Sequence, residues 1–157
     1  MANTYTQLYV QYIFAVDGRD HLIPKAHKAE VHRYITGVVQ NRKHKMLEIH
    51  CMPDHTHMFI GLHPSQSISD LAEETKSAAT KFIKKQDWMT YNFSWQRGFG
   101  AFSYSRSQIP VVGAYVKNQE QHHRKRTFRE EYLDFLKKFE VEYDEKYLFD
   151  FYDDLYR

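Results

Sequence analysis

Two apolar, strand-like runs lie almost end to end in this chain. Residues 44–52 (HKMLEIHCM) and 55–62 (HTHMFIGL) are separated only by Pro53-Asp54. A connection that short permits antiparallel pairing and excludes a parallel crossover. The flanking segments extend the pattern. Residues 6–16 (TQLYVQYIFAV) are rich in β-branched and aromatic side chains and predict a strand, closed by the turn residues Asp17-Gly18-Arg19-Asp20. Pro24 suits a first helical turn, and Ala26, Ala29, Val31, Tyr34, Ile35 and Val38 continue at helical spacing to about Gln40.

After the hairpin, Pro64-Ser65 ends the second strand. Ile68, Leu71, Thr75, Ala79 and Ile83 then predict a helix. Residues 87–96 read as irregular and aromatic. Residues 98–105 (GFGAFSYS) read as a short strand opened by glycines. Ser107 is the expected N-cap of a helix over about 108–122, with Pro110 in its first turn. Thr127 and Glu130 have capping-box spacing and start a further helix to about Phe139. Residues 140–157 alternate acids with aromatics. The order is β-α-β-β-α-β and then two helices. This predicts an α+β fold: a ferredoxin-like antiparallel sheet, like that of RNA-recognition modules, with helices packed on it and C-terminal helices added.

The chain has 157 residues, 42% of them apolar, which suits one domain over 1–157 with one ordinary core. No apolar run approaches the ~20 residues of a membrane span. No basic-then-apolar leader opens the sequence, and Cys51 has no intrachain partner; both point to the cytoplasm. The net charge of +2 hides a division. Residues 1–126 carry a net +7 and residues 127–157 a net −5. The basic part suits a polyanion, although clustering on solvated faces gives the same numbers.

Three constellations stand out. On a strand, His55 and His57 point to one face about 7 Å apart at Cα, where two imidazoles can hold one divalent metal. The plainer account is two histidines on a half-exposed strand. On a helix, Tyr115 and Gln119 share a face. They bring together a phenol, a competent nucleophile once its oxyanion is stabilised, and a neutral oxygen ligand. A tyrosine on an amphipathic helix is ordinarily core, and the same spacing recurs at Tyr104 and Gln108. There, residues 105–107 read as a turn, so those two side chains need not share a face. The run Gln121-His122-His123-Arg124-Lys125-Arg126 suits either a helix C-terminus or phosphate contacts. No metalloprotease, phosphate-loop, serine-hydrolase or paired-cysteine motif is present, and Cys51 reads as a structural thiol.

Together these residues resemble the single-tyrosine HUH transposases of the IS200/IS605 type. The resemblance rests on Met52–Ile60 (MPDHTHMFI), on residues 95–103 (WQRGFGAFS), on residues 115–124 (YVKNQEQHHR) and on residues 127–131 (TFREE). Thr56 departs from the large hydrophobe usual between the two histidines. The resemblance implies Mg2+ or Mn2+ on His55, His57 and Gln119, with Tyr115 as the nucleophile. It implies a single-stranded DNA substrate bearing hairpins, a 5′-phosphotyrosine intermediate and a homodimer, with no membrane. Candidates for holding the DNA backbone are Lys76, Lys81, Lys84 and Lys85 on one helix, and Arg124, Lys125 and Arg126. Alternative functions are a domesticated hairpin-processing nuclease and a non-catalytic single-strand binder on the same fold. A zinc-binding structural protein is disfavoured, because His50, Cys51, His55 and His57 alternate between strand faces.

Overall fold

The hairpin of residues 44–62 forms half of a four-stranded sheet. A computed structural model describes residues 3–89 and 92–156. The strands are β1 (Tyr9–Ala15), β2 (Lys45–Cys51), β3 (His55–Gly61) and β4 (Gly100–Tyr104), in the order β2-β3-β1-β4. All three pairings are antiparallel. Helix α1 (Lys28–Asn41) joins β1 to β2, and α2 (Ile68–Lys84) joins β3 to β4. Helices α3 (Ile109–Lys117), α4 (Gln119–His122) and α5 (Phe128–Lys138) follow. This is the ferredoxin-like α+β architecture that the element order predicts.

Strand alternation divides the interior in two. Tyr12, Phe14, Met58 and Ile60 face α1 and α2, where they meet Val31, Ile35, Leu71, Ala79 and Ile83. Ile13, Ala15 and Phe102 face the other way and meet Phe128, Tyr132, Phe135 and Leu136 of α5. Phe59 packs on Val112 and Val116 of α3. His55 and His57 share the Phe59 face of β3 and therefore look toward α3 and α5. Thr56 looks away, and its hydroxyl donates to Cys51 Sγ at 3.2 Å, which satisfies it. Burial pushes the Cys51 thiol up to about 12, as suits a structural cysteine.

Several boundaries differ from the expectations. A 3-10 turn at Lys25–His27 precedes α1. Ser105, not Ser107, caps the turn into α3, because Ser107 falls inside the 3-10 segment Arg106–Gln108. The expected helix over 108–122 is broken at Asn118, whose φ of −96° and ψ of 28° leave the helical range. The acidic aromatic tail folds back on its own chain. The Gly18 N–H donates to Tyr152 Oη at 2.7 Å, the Asp150 N–H donates to Gln96 Oε1 at 2.7 Å, and Phe149 packs on Tyr132. Among the described residues, no helix is long and apolar enough to cross a membrane. The irregular stretch 87–96 and the single domain over 1–157 include residues 1, 2, 90, 91 and 157, which lie outside the described residues.

Candidate active site

Register fixes the two histidines of β3. His55 lies opposite the small Ala15 and His57 opposite Ile13, both on the central strand β1. His55 also stacks flat on Phe128, with ring centroids 3.9 Å apart. The break at Asn118 turns the chain so that Gln119 and His123 face β3. Glu131 enters from α5. It occupies a core position between Phe128 and Phe135 and is fully buried.

These side chains converge. Ligand atoms of His55, His57, His123 and Glu131 all lie within 4.8 Å of one another. Glu131 Oε1 sits 3.0 Å from His57 Nε2, 3.2 Å from His123 Nε2 and 3.5 Å from His55 Nε2. Gln119 Oε1 lies 3.0 Å from His123 Nε2 and 3.3 Å from His55 Nε2, while Gln119 Nε2 donates to Glu131 Oε2 at 3.1 Å. Tyr115 Oη donates to the same Glu131 Oε2. Arg126 Nη2 donates to Tyr115 Oη at 3.2 Å and is steadied by Asp134, 3.3 Å from Nη1.

The outer nitrogens of the three rings are also engaged. His55 Nδ1 donates to Asp54 Oδ1 at 2.7 Å, His57 Nδ1 to Gln11 Oε1 at 2.7 Å and His123 Nδ1 to the Arg126 carbonyl at 3.0 Å. Each ring thus turns Nε2 inward with its tautomer set by an acceptor behind it, the usual outer support of a metal-bound histidine. Asp54 is held in turn by Tyr156, whose hydroxyl lies 2.6 Å from both carboxylate oxygens.

Charge in this buried pocket is strongly coupled. Burial disfavours a charged His55, but the Asp54 and Glu131 carboxylates outweigh it and hold the ring up at about 9. Burial wins at His57 and lowers it, against the pull of Glu131. Burial would raise Glu131, yet His57, His123 and His55 draw it well below the usual carboxylate range. Tyr115 is raised, first by burial and then by the Glu131 carboxylate, while Arg126 opposes. Without further positive charge the phenol stays protonated. Imidazole, carboxylate and amide oxygen form a mixed donor set that fits a divalent cation.

The expected site residues separate into two groups. His55, His57, Tyr115 and Gln119 meet at one centre. Arg126 reaches Tyr115, whereas Arg124 and Lys125 point to solvent. Lys76, Lys81 and Lys84 lie on α2, and Lys85 caps its C-terminus, across the sheet from this centre. The first of these donates to the carbonyls of Gln96 and Gly98 at 2.8 Å each, and the other three are exposed. His123 and Glu131, which complete this centre, were missed by sequence reasoning. A signal existed for each: His123 stands four residues beyond Gln119, and Glu131 is an acid inside an apolar stripe.

Fold and site define a protein whose ferredoxin-like sheet carries a histidine centre and a tyrosine on one face. The model of the IS200-like transposases matches residues 4–119, and the chain belongs to that family. Two solved structures share its fold. One, a candidate transposase from Deinococcus radiodurans, is 17% identical with a TM-score of 0.57, covering 76% of this chain and 95% of its own. The other, described as a REP-associated tyrosine transposase bound to a REP hairpin, is 15% identical with a TM-score of 0.58, covering 78% of this chain and 73% of its own. A search of curated proteins finds no match.

Proposed function

We propose that the protein cleaves and rejoins single-stranded DNA through a covalent link to Tyr115. The observation that carries this is the carboxylate of Glu131. One of its oxygens sits among three inward-turned imidazoles, and the other takes the Tyr115 hydroxyl. Nucleophile and metal ligands are therefore neighbours through a single side chain. His55, His57 and Gln119 would hold Mn2+ or Mg2+, with His123 and Glu131 completing the donor set. A cation there would polarise the scissile phosphate and ease negative charge on the phenol oxygen. The richness in imidazole favours Mn2+ over Mg2+, which prefers oxygen and water.

The remaining chemistry belongs to the chain. Glu131 Oε2 is the nearest acceptor for the phenol proton, and Arg126 is the cation placed at the reacting oxygen. Attack of Tyr115 Oη on phosphorus forms the Tyr–O–P bond and breaks the P–O3′ bond. The products are a 5′-phosphotyrosine and a free 3′-hydroxyl, whose leaving oxygen takes up the proton that Glu131 received from the phenol. A second 3′-hydroxyl reverses the step on the covalent link, so bond energy is kept and no nucleotide cofactor is needed.

The structural neighbour bound to a REP hairpin supports a hairpin-bearing substrate. Exposed Lys81, Lys84, Lys85, Arg124 and Lys125 are candidates for its backbone, and a homodimer is the working assembly that the family resemblance implies. The test is incubation with a single-stranded hairpin carrying a broken suicide strand, with Mn2+, Mg2+ or chelator. We expect a metal-dependent adduct on Tyr115 that Tyr115→Phe abolishes while hairpin binding persists. An adduct in that variant, or an undiminished one in chelator, overturns the assignment.

A further inference from the structure

We infer that the cavity beside Tyr115 is a nucleobase pocket that seats one unpaired base next to the scissile phosphate. The inference rests on the cleavage reading above. The cavity, of about 480 Å3, lies between the N-terminal turn of α3, the end of β4 and the C-terminal half of α5. Its size suits one small planar group. A second cavity of about 420 Å3 touches the centre at Asp54 and His123, but Tyr115 is not among its walls. Of the two, the first is the one that Tyr115 lines.

Four features of its lining point to a nucleotide. Tyr104 and Phe139 supply aromatic surface, and Phe139 is 36% exposed. Val111 adds an apolar wall that is 73% exposed, although α3 has ample core to pack on elsewhere. Arg126, on the Tyr115 hydroxyl, and Lys138 bring positive charge to the rim, with Asp134 bridging them at 3.3 and 3.1 Å. Cation beside nucleophile and aromatic surface beyond it is the layout that a phosphate followed by a stacked base requires.

The fourth feature is a repeated spacing. Tyr104 and Gln108 share the four-residue spacing of Tyr115 and Gln119. The turn at 105–108 does not separate them, for both line this cavity. Tyr104 Oη accepts from Gln11 at 2.9 Å, and its own proton has no acceptor among the described residues. Gln108 Oε1 accepts from the Ser105 N–H at 2.9 Å, which leaves its amide hydrogens without a partner among the described residues. Two donors thus stand ready for the acceptor atoms of a base edge.

Two measurements decide the matter. In chelator, a short single strand carrying one 2-aminopurine should be quenched on binding the full-length protein, and Phe139→Ala should weaken that binding about tenfold, the usual scale for one stacked base. With metal, an abasic nucleotide beside the cut should slow Tyr115 adduct formation about tenfold. Val111→Phe, which fills the cavity from an exposed position, should make adduct formation indifferent to the missing base. A normal adduct rate on abasic strands, or quenching untouched by Phe139→Ala in a folded protein, refutes the pocket and leaves the cleavage reading intact. Quenching that obeys the pocket variants without any Tyr115 adduct refutes cleavage and leaves the pocket as a binding site.

Discussion

Replacing Glu131 by glutamine keeps the shape of the side chain and removes its charge. The carboxylate is fully buried, and its closest imidazole contacts are His57 at 3.0 Å and His123 at 3.2 Å. The amide can still accept on one side, but it turns an N–H toward either a ring or the Tyr115 hydroxyl. Breaking a buried ionic cluster by removing one partner costs about 3–5 kcal/mol, and the retained oxygen puts Glu131→Gln near 3 kcal/mol. At about 2–4 °C per kcal/mol for a chain of this size, Tm in chelator should fall by about 6–12 °C. Calorimetric titration with Mn2+ should show at least tenfold weaker binding, the scale on which lost support weakens a metal site. The exposed Glu142 gives a control, and Glu142→Gln should change neither quantity. Wild-type Tm together with wild-type Mn2+ affinity in Glu131→Gln would refute the role given to the carboxylate. A lowered Tm with unchanged affinity would make Glu131 a folding residue and not a ligand.

Three further outcomes follow from the same geometry. Tyr156→Phe removes the hydroxyl that holds both oxygens of Asp54, so it should weaken Mn2+ binding up to about tenfold through the loosened His55 ring, read by the same titration. Gly100→Ala places a methyl 2.9 Å from a ring carbon of Tyr132, closer than the packing allows; it should cost about 1–3 kcal/mol in urea unfolding. His32, whose Nε2 accepts the Cys51 N–H at 2.8 Å, is lowered to about 4 by burial and by Lys28. Folded and unfolded chains both keep it neutral above pH 6.5. Between 6.5 and 4 only the unfolded chain takes up the proton, so stability should drop by up to about 1.4 kcal/mol per pH unit, and His32→Gln should flatten that limb.

The sheet was legible because local and global signals agree in it. Pro53-Asp54 leaves no room for a crossover, and alternation along β3 puts Thr56 behind the histidines. The helix ends were less legible. Ser105 and Ser107 are equally good caps by residue type, and the choice depends on where the edge strand stops. The break at Asn118 was hidden because an i, i+4 pair reads the same on a continuous helix as across a bend that keeps both side chains on one target. The buried centre was half legible. His55 and His57 announce themselves by strand period, and Gln119 by its distance from Tyr115. His123 was submerged in a basic run that the fold splits, sending His123 inward, Arg124 and Lys125 outward and Arg126 to the tyrosine. Glu131 declares itself only once the apolar stripe around it is known to face a histidine pair from another element.

The order in which contacts can form gives the tail a kinetic meaning. The Tyr156–Asp54 bond closes a loop of 102 residues, and Gly18 with Tyr152 closes one of 134. Contacts that distant are rewarded only after a large loss of chain entropy, whereas the hairpin of β2 and β3 needs almost none. Refolding should therefore pass through a species with a formed sheet and an unfinished centre, and metal competence should appear in the slower phase. The centre that gathers Tyr115, Glu131 and the three imidazoles is thereby completed only once distant parts of the chain have met.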